Sequence, residues 1–518
     1  MKAPYTEADN GRRSKNHPVV TATLWNYCSA AVATILQLGY TAYTGRTVSV
    51  SAFGAFASAQ SIIQLLGYFA NAGLGTAVLR AREPSQELLA AALKLGAVSG
   101  PLCCVLIQAT ATMWADLWNA PQATPMLRVL GCQFLILPFA AIATAWLGRL
   151  MAQRTVAVIE MASQSTGLLA STVLLTSGWN PVGLAAAPVV SQLCAAALAF
   201  PRLLLLLRAL RPPGRPHRRV RLWKLARTTG FLAGHSLVQY ATNTLPLWTA
   251  SATLGLTAVG NYSRAVMFTG IPLALLASGL SRVTTPSLSR VLARVQSDGQ
   301  ALIPRIPGRQ VDDRVDPSFT RAVTDVLLAA SALSFLPFAF LAGIGPKMLR
   351  LLLGPGWADA ASLVPWLCLA SSAAMMYSTA LSVDTVRGAF RQMVRAQVVT
   401  ATAIGGTAIA AAATGSIHLL ALAAGAGPLC GHAVQMRTWR TDSLLESRRL
   451  WDGYRVHAAL ALLLYAAGAS IAWLADGRLL RAVPVLLCTV CALGVCWRLR
   501  SRQPLYRIAT ARGLLSPQ

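Results

Sequence analysis

The chain has 518 residues, 55% of them hydrophobic and only 12% charged, a balance that argues against a string of soluble domains and for a membrane protein. Its formal charge of +28 would suit nucleic acid, but no aromatic-rich basic soluble domain is present to bind it. Ten-residue segments of alternating polarity are also missing, which disfavours a transmembrane barrel and leaves helices.

Residues 1–18 are polar and lead into an apolar run without a small-residue cleavage site, the pattern of a cytoplasmic tail and not of a removed signal. Fourteen runs long enough to cross about 30 Å of hydrocarbon follow. Spans 1 to 6 cover about residues 19–43, 52–77, 88–113, 125–147, 156–176 and 182–207, so that residues 19–207 make an N-lobe. Residues 208–230 carry eight basic residues, three prolines and no acid; this linker is expected to lie on lipid headgroups. The C-lobe, residues 231–437, holds spans 7 to 12 at about 231–254, 259–283, 322–344, 361–383, 396–414 and 417–435. Between spans 8 and 9, residues 284–321 read as an irregular cytoplasmic loop. Residues 438–497 add a cytoplasmic loop and spans 13 and 14, and residues 498–518 form a basic tail.

Along this topology 38 of the 45 Lys and Arg fall on one side, 6 on the other, and Arg264 lies within a span. By the positive-inside rule both termini are cytoplasmic, and the basic loops meet anionic membrane lipids. All ten cysteines fall in predicted spans, where thiols are small packing groups, so no disulfide is assigned. The histidines lack ligand spacing, so no metal is assigned.

The chain repeats itself 206 residues on. Ala52, Gly54, Phe56 and Ala59 return as Ala258, Gly260, Tyr262 and Ala265, and Gly73-Leu74 returns as Gly279-Leu280. Two halves built alike follow from this. At the same offset Ser29, Ala33, Gln37 and Tyr40 of span 1, with Asn26 on the same face, correspond to His235, Gln239, Asn243 and Pro246 of span 7. Span 2 adds Gln60, Gln64, Asn71 and Gly75. Polar stripes cannot cheaply face lipid, so they line a water-filled cavity or act as hydrogen-bond glue between helices. Pro246 breaks the backbone ladder of span 7, as a hinge or as a fixed kink.

Arg264 is placed about 7 Å from the outer end of span 8. Its guanidinium is suited to a phosphate through paired hydrogen bonds, or to an outer-leaflet headgroup by snorkelling. Glu160, Asp325 and Asp384 lie near cytoplasmic helix ends, with Arg154, Arg321 and Arg387 as expected partners. No acid sits at mid-membrane, which counts against a cation-coupled drug antiporter.

With these residues in view, the chain resembles the oligosaccharide flippases of the multidrug/oligosaccharidyl-lipid/polysaccharide exporter superfamily. The matching motifs are Gly54 and Phe56 with Gly73-Leu74-Gly75 and Arg80; Ala145-Trp146-Leu147-Gly148-Arg149 through Arg154 and Glu160; and Gly260-Asn261-Tyr262-Ser263-Arg264-Ala265. Arg282-Val283 with Pro286, Ser289 and Arg290, and Leu353-Gly354-Pro355-Gly356-Trp357-Ala358, continue the order. The resemblance covers about residues 19–435. It implies an all-α polytopic membrane protein of about 14 transmembrane helices, in two pseudo-symmetric six-helix lobes around a cavity plus two C-terminal helices.

The resemblance also implies alternating access that carries a polyprenyl-diphosphate-linked glycan from the inner to the outer leaflet of the bacterial cytoplasmic membrane. Other polysaccharide assembly proteins are possible partners, and no cofactor is implied beyond an unidentified coupling ion. Span 7 departs from the pattern: Asn243-Thr244-Leu245-Pro246 and Ala250-Ser251-Ala252 are neutral where many relatives carry Asp and Arg. The candidate substrate contacts are Arg264, Asn26, Gln37, Asn71, His235, Gln239 and Asn243. The rival readings are export of a drug or another lipid, and an integral membrane glycan polymerase or glycosyltransferase. The short outer loops, with Asp116, Asp359 and Asp476 isolated, offer the enzyme little to work with.

Overall fold

The computed structural model describes residues 17–71, 86–149, 153–209, 222–297 and 317–477, together with the single positions Val483, Leu487 and Val490. Every regular element in these stretches is helical: α1 His17–Thr47, α2 Val50–Asn71, α3 Gln86–Leu117, α4 Ala123–Gly131, α5 Leu137–Arg149, α6 Gln153–Thr176 and α7 Gly183–Ala209. The second half continues with α8 Leu222–Thr253, α9 Leu256–Ser297, α10 Pro317–Leu353, α11 Ala358–Arg387, α12 Phe390–Thr414, α13 Ile417–Thr441 and α14 Ser447–Ala475. Ten of these helices are long and apolar enough to cross a membrane, or eleven if the bent pair α4–α5 counts as one span. Helices α1 and α8 stand outside that count, yet at 31 and 32 residues each is long enough to cross. The all-helical membrane class is thus found as expected; span 14 apart from Val483, Leu487 and Val490, the linker centre at 210–221 and the motif at Gly73-Leu74-Gly75 lie outside the described residues.

The chain forms two compact units. One comprises residues 1–40, 66–110 and 125–234, and the other 41–65, 111–124 and 235–518. The division does not follow the sequence halves, since the end of α1 and the first part of α2 belong with the C-terminal helices.

In the first unit α6 packs along α7, and α5 against α7. Its core gathers Leu89, Ile142, Trp146, Leu147, Ile159 and Leu203. The expected span 4 is broken: α4 and α5 meet at 45° through a 3-10 turn at Cys132–Leu135. Pro138 has no N–H to offer Phe134, four residues back, and that carbonyl instead faces Gly100 of α3, where a Cβ would crowd it. Helix α3 can approach there because Gly100 has no side chain.

In the second unit α10 is the central helix, packed on both α11 and α14, while α12 pairs with α13 and α11 with α9 and α13. Gly343 of α10 and Gly468 of α14 each face the other's backbone with no room for a side chain. About three turns away along the same helix pair, a buried hydrogen bond of 2.7 Å joins Ser331 and His457. The expected irregular loop after span 8 is helical in its first part, since α9 runs unbroken to Ser297. Leu288, Val291 and Leu292 recur at helical spacing there and pack with Phe319, Val323 and Trp439.

Candidate functional site

Polar and aromatic residues converge in the second unit where the last turns of α1 and the first half of α2 meet α8, α9 and the α10–α11 turn. Helix α1 ends in carbonyls without intrahelical donors. One of them, on Gly45, accepts a hydrogen bond from buried Trp357 Nε1 at 2.8 Å. Arg46 in turn donates to the Leu351 carbonyl at 2.8 Å. The Leu353–Trp357 motif is therefore a dock for the end of α1. Gly354 takes φ 103° in that turn, a conformation open to glycine.

From this dock a stack extends. Phe53 of α2 lies edge-on to Trp357, with ring centroids 5.5 Å apart, and the Arg264 guanidinium covers the Phe53 ring at 3.7 Å. Arg264 also donates to Met267 Sδ at 3.4 Å and is only 8% exposed. It is the ninth residue of α9, about 12 Å from the helix start at 1.5 Å per residue. The helix starts three residues before the expected span, at Leu256 instead of residue 259, which lengthens the 7 Å counted from sequence.

Helix α8 is tied to α2 by side chains that the sequence reading passed over. Ser58 and Ser251 hydroxyls lie 2.7 Å apart, Trp248 Nε1 donates to Ser61 Oγ at 2.9 Å, and Tyr240 donates to the Ser61 carbonyl at 2.9 Å. Their signal was present in the repeat, since Ser251 stands 206 residues after Gly45 and Ser58 stands 206 before Arg264. Gln60 Oε1 and Asn261 Oδ1 are buried in the same region without a hydrogen-bond partner among the described residues.

The candidate polar residues divide between the units. In the first, Ser29 is buried and donates to Glu160 at 3.3 Å, and Tyr40 bonds Ser171 at 2.6 Å; these two members of the span 1 stripe are glue within their own unit. Gln37 is half-buried, and Asn71 Oδ1 is buried with no partner among the described residues. In the second, Gln239 and Asn243 are exposed, one turn apart on α8. The side chains of Asn26 and His235 lie outside the described residues. Pro246 sits inside α8, which continues through it.

The three acids near helix ends are structural. Asp384 is fully buried and accepts from Trp439 Nε1 at 2.8 Å and Gln435 Nε2 at 3.0 Å, with Arg387 at 3.6 Å as expected. Asp325 is met by Arg449 at 2.5 Å, while Arg321 reaches Glu446 at 3.3 Å. Arg154 lies over the Trp25 ring at 5.2 Å. The seven described cysteines are free thiols.

Comparisons with known proteins agree with this architecture. A family model described as polysaccharide biosynthesis protein matches residues 45–304, half of the chain. The succinoglycan biosynthesis transport protein ExoT of Rhizobium meliloti (strain 1021) is 26% identical over 321 residues, covering 61% of this chain and 58% of that protein. The chain therefore matches less than two thirds of that relative's length. Among solved structures, the lipid II flippase MurJ in an inward closed conformation superimposes with a TM-score of 0.66 and 12% identity, over 92% of this chain and 98% of that one. An inward-facing multidrug resistance MATE family transporter of the MOP superfamily gives 0.57 with 13% identity, over 82% and 96%. At these identities the likeness is one of fold.

Proposed function

The chain belongs to the polysaccharide biosynthesis protein family, with the fold of the MOP-superfamily transporters, and we propose that it is a flippase for a polyprenyl-diphosphate-linked oligosaccharide. The sugar head cannot cross hydrocarbon unaided, because each bared polar group costs on the order of several kcal/mol there, while the lipid tail can stay in the bilayer. The protein supplies a polar passage for the head and opens it to one side at a time. Both termini face the cytoplasm of a bacterial inner membrane, and transport runs from the inner to the outer leaflet.

The observation that carries this reading is the exposed pair Gln239 and Asn243 midway along α8. Two amides one turn apart in a membrane helix need water or a polar ligand against them. We assign them to the glycan head and Arg264 to the diphosphate, with Gln37 and Asn71 proposed for the head on their sequence positions alone. Asn26 and His235 join them on their sequence positions. The family match and the succinoglycan transport relative support a glycan cargo over a drug.

Vesicles reconstituted with the purified protein and a lipid-linked oligosaccharide test the reading. Wild-type protein should deliver the sugar to the opposite leaflet. Replacing Gln239 and Asn243 together by leucine removes both amides at similar size, and should slow delivery by about tenfold or more with folding unchanged. Undiminished delivery by that double variant would remove the site, and no delivery by the wild type would remove the cargo.

A further inference from the structure

Three helices of the second unit, α11, α12 and α13, enclose a run of polar groups that the flippase reading leaves without a role. Near the end of α11 and the start of α12, Asp442 accepts from Arg387 Nη2 at 3.3 Å and from Gln392 Nε2 at 3.2 Å. By the charge asymmetry of the chain these helix ends are cytoplasmic. One layer deeper, Gln435 and Trp439 of α13 hold Asp384 of α11. Deeper still the helices close on Gly431, where a Cβ would meet Thr400 Oγ1 of α12 and the Tyr377 ring of α11. His432 is the next residue, nine before the end of α13 at Thr441 and so about 14 Å along the helix. Thr400 and Tyr377 are each ten residues from the corresponding ends, Phe390 and Arg387.

These layers leave polar atoms unused. Gln392 and Gln435 engage the two aspartates through their amide nitrogens, but their amide oxygens are buried without a hydrogen bond among the described residues. So are both ring nitrogens of His432, although a neutral imidazole carries one donor and one acceptor. Water fits this set: it donates to the amide oxygens and the bare ring nitrogen, accepts from the ring N–H, and is small enough for a tight seam. An apolar occupant would satisfy none of the four atoms, and an anion would face the amide oxygens.

We propose that the seam between α11, α12 and α13 is a water-filled column open to the cytoplasm, and that His432 at its deep end accepts a proton through it. The free electron pair of the ring takes the proton from the water chain, which is replenished from the cytoplasm. Asp384 is not the acceptor, because its oxygens already take the Trp439 and Gln435 bonds and Arg387 lies 3.6 Å away. The remaining charges around α13 gather toward the mouth: exposed Arg437 and Arg440 on α13, Arg391 and Arg395 on α12, and Arg290 and Arg294 on α9. On α10, Arg321 and Asp325 are paired with Glu446 and Arg449. None of these groups gives His432 a counter-ion. Its bound proton therefore depends on water and draws more of it into the seam, so acid on the cytoplasmic side loosens the seam and alkali closes it. This goes beyond the flippase reading and holds whatever the transporter carries.

The test needs no cargo. In the full-length chain with its ten native cysteines replaced, Thr400→Cys puts one thiol into the seam, at a side chain that is 3% exposed. Silver ion, small and membrane-impermeant, is added to one face of sealed vesicles, and unreacted thiol is counted after denaturation. Silver on the cytoplasmic face should react, and silver on the outer face should not. Lowering the cytoplasmic pH from about 8 to about 6 should speed the reaction about threefold or more, although acid slows a thiol's own chemistry. His432→Gln keeps a donor and an acceptor but does not titrate, and should abolish that acceleration. The ratio of the two proteins at each pH cancels the thiol's own trend. A cysteine at the fully buried Ser331 must stay unreacted in both backgrounds, which shows that the protein is folded. No reaction from either face, or reaction from the outer face alone, overturns the column. The same pH profile in His432→Gln as in its parent overturns the proton acceptor. No sugar delivery enters these readings, so they stand or fall apart from the cargo.

Discussion

Arg264 shows what residue type and position can and cannot reveal. The sequence marked it as the cation counted with neither flank of the charge tally, but its stacking on Phe53 depends on which helix crosses which. Nothing in the spacing of α2 or α9 alone brings Phe53 and Trp357 together. A cation held on an aromatic face contributes about 0.5–2 kcal/mol, enough to keep the guanidinium on the ring and weak enough for a diphosphate to compete. Arg264→Ala should therefore abolish delivery of lipid-linked sugar. Arg264→Lys, which keeps the charge but loses the planar fork, should retain a measurable part of it. Normal delivery by a folded Arg264→Ala would strip the residue of its assigned role. Asp384, Asp325 and Glu160 were readable as structural from their place near helix ends. For Asp384 the expected arginine partner is found, because an i,i+3 pair is local, whereas Arg449 reaches Asp325 from 124 residues away.

Among the elements, hydropathy found the spans because apolar length is a property of consecutive residues. It missed two features for physical reasons. Span 4 was read as unbroken although Pro138 was visible; the bend at Cys132–Leu135 needs both a proline and a neighbour, Gly100, that accommodates the freed carbonyl. The extension of α9 to Ser297 was read as loop because hydropathy ends where the membrane does, while the helix goes on by packing Leu288, Val291 and Leu292. The clearest test of packing between elements is the contact of α10 with α14. Gly343→Leu forces a side chain into the backbone of α14 at Gly468 and should lower stability by about 1–3 kcal/mol or more, read as a fall in thermal unfolding temperature in detergent. An unshifted midpoint would mean that α14 is not held there.

On the scale of the whole molecule, the class, the repeat and the number of helices were open to reading from sequence, since lipid leaves so few ways to satisfy a backbone. The division into compact units was not, because it is set by which helix ends touch. Orientation rests on the charge count, and one labelling experiment decides it: a lone cysteine at position 116 should react with an impermeant reagent added outside, while one at position 310 should not. The opposite pattern would invert the direction of transport.

Gly54 of α2 faces the Leu256 carbonyl of α9, and Gly260 of α9 faces the Val50 carbonyl of α2; both pairs are related by the 206-residue repeat, and this exchange bears on how such a molecule could arise. A half-length ancestor carrying the α2 motif would have made this contact with a second copy of itself, glycine against the partner's carbonyl in both directions. In such a homodimer every position near the axis is duplicated, so an arginine in one subunit faces an arginine in the other, and two buried cations repel. Joining the halves in one chain removes that constraint. Position 58 can then keep a serine that bonds Ser251, while position 264 carries a lone guanidinium. Fusion thus allows a single charge on a near-symmetric scaffold, which a ligand with one anionic end requires.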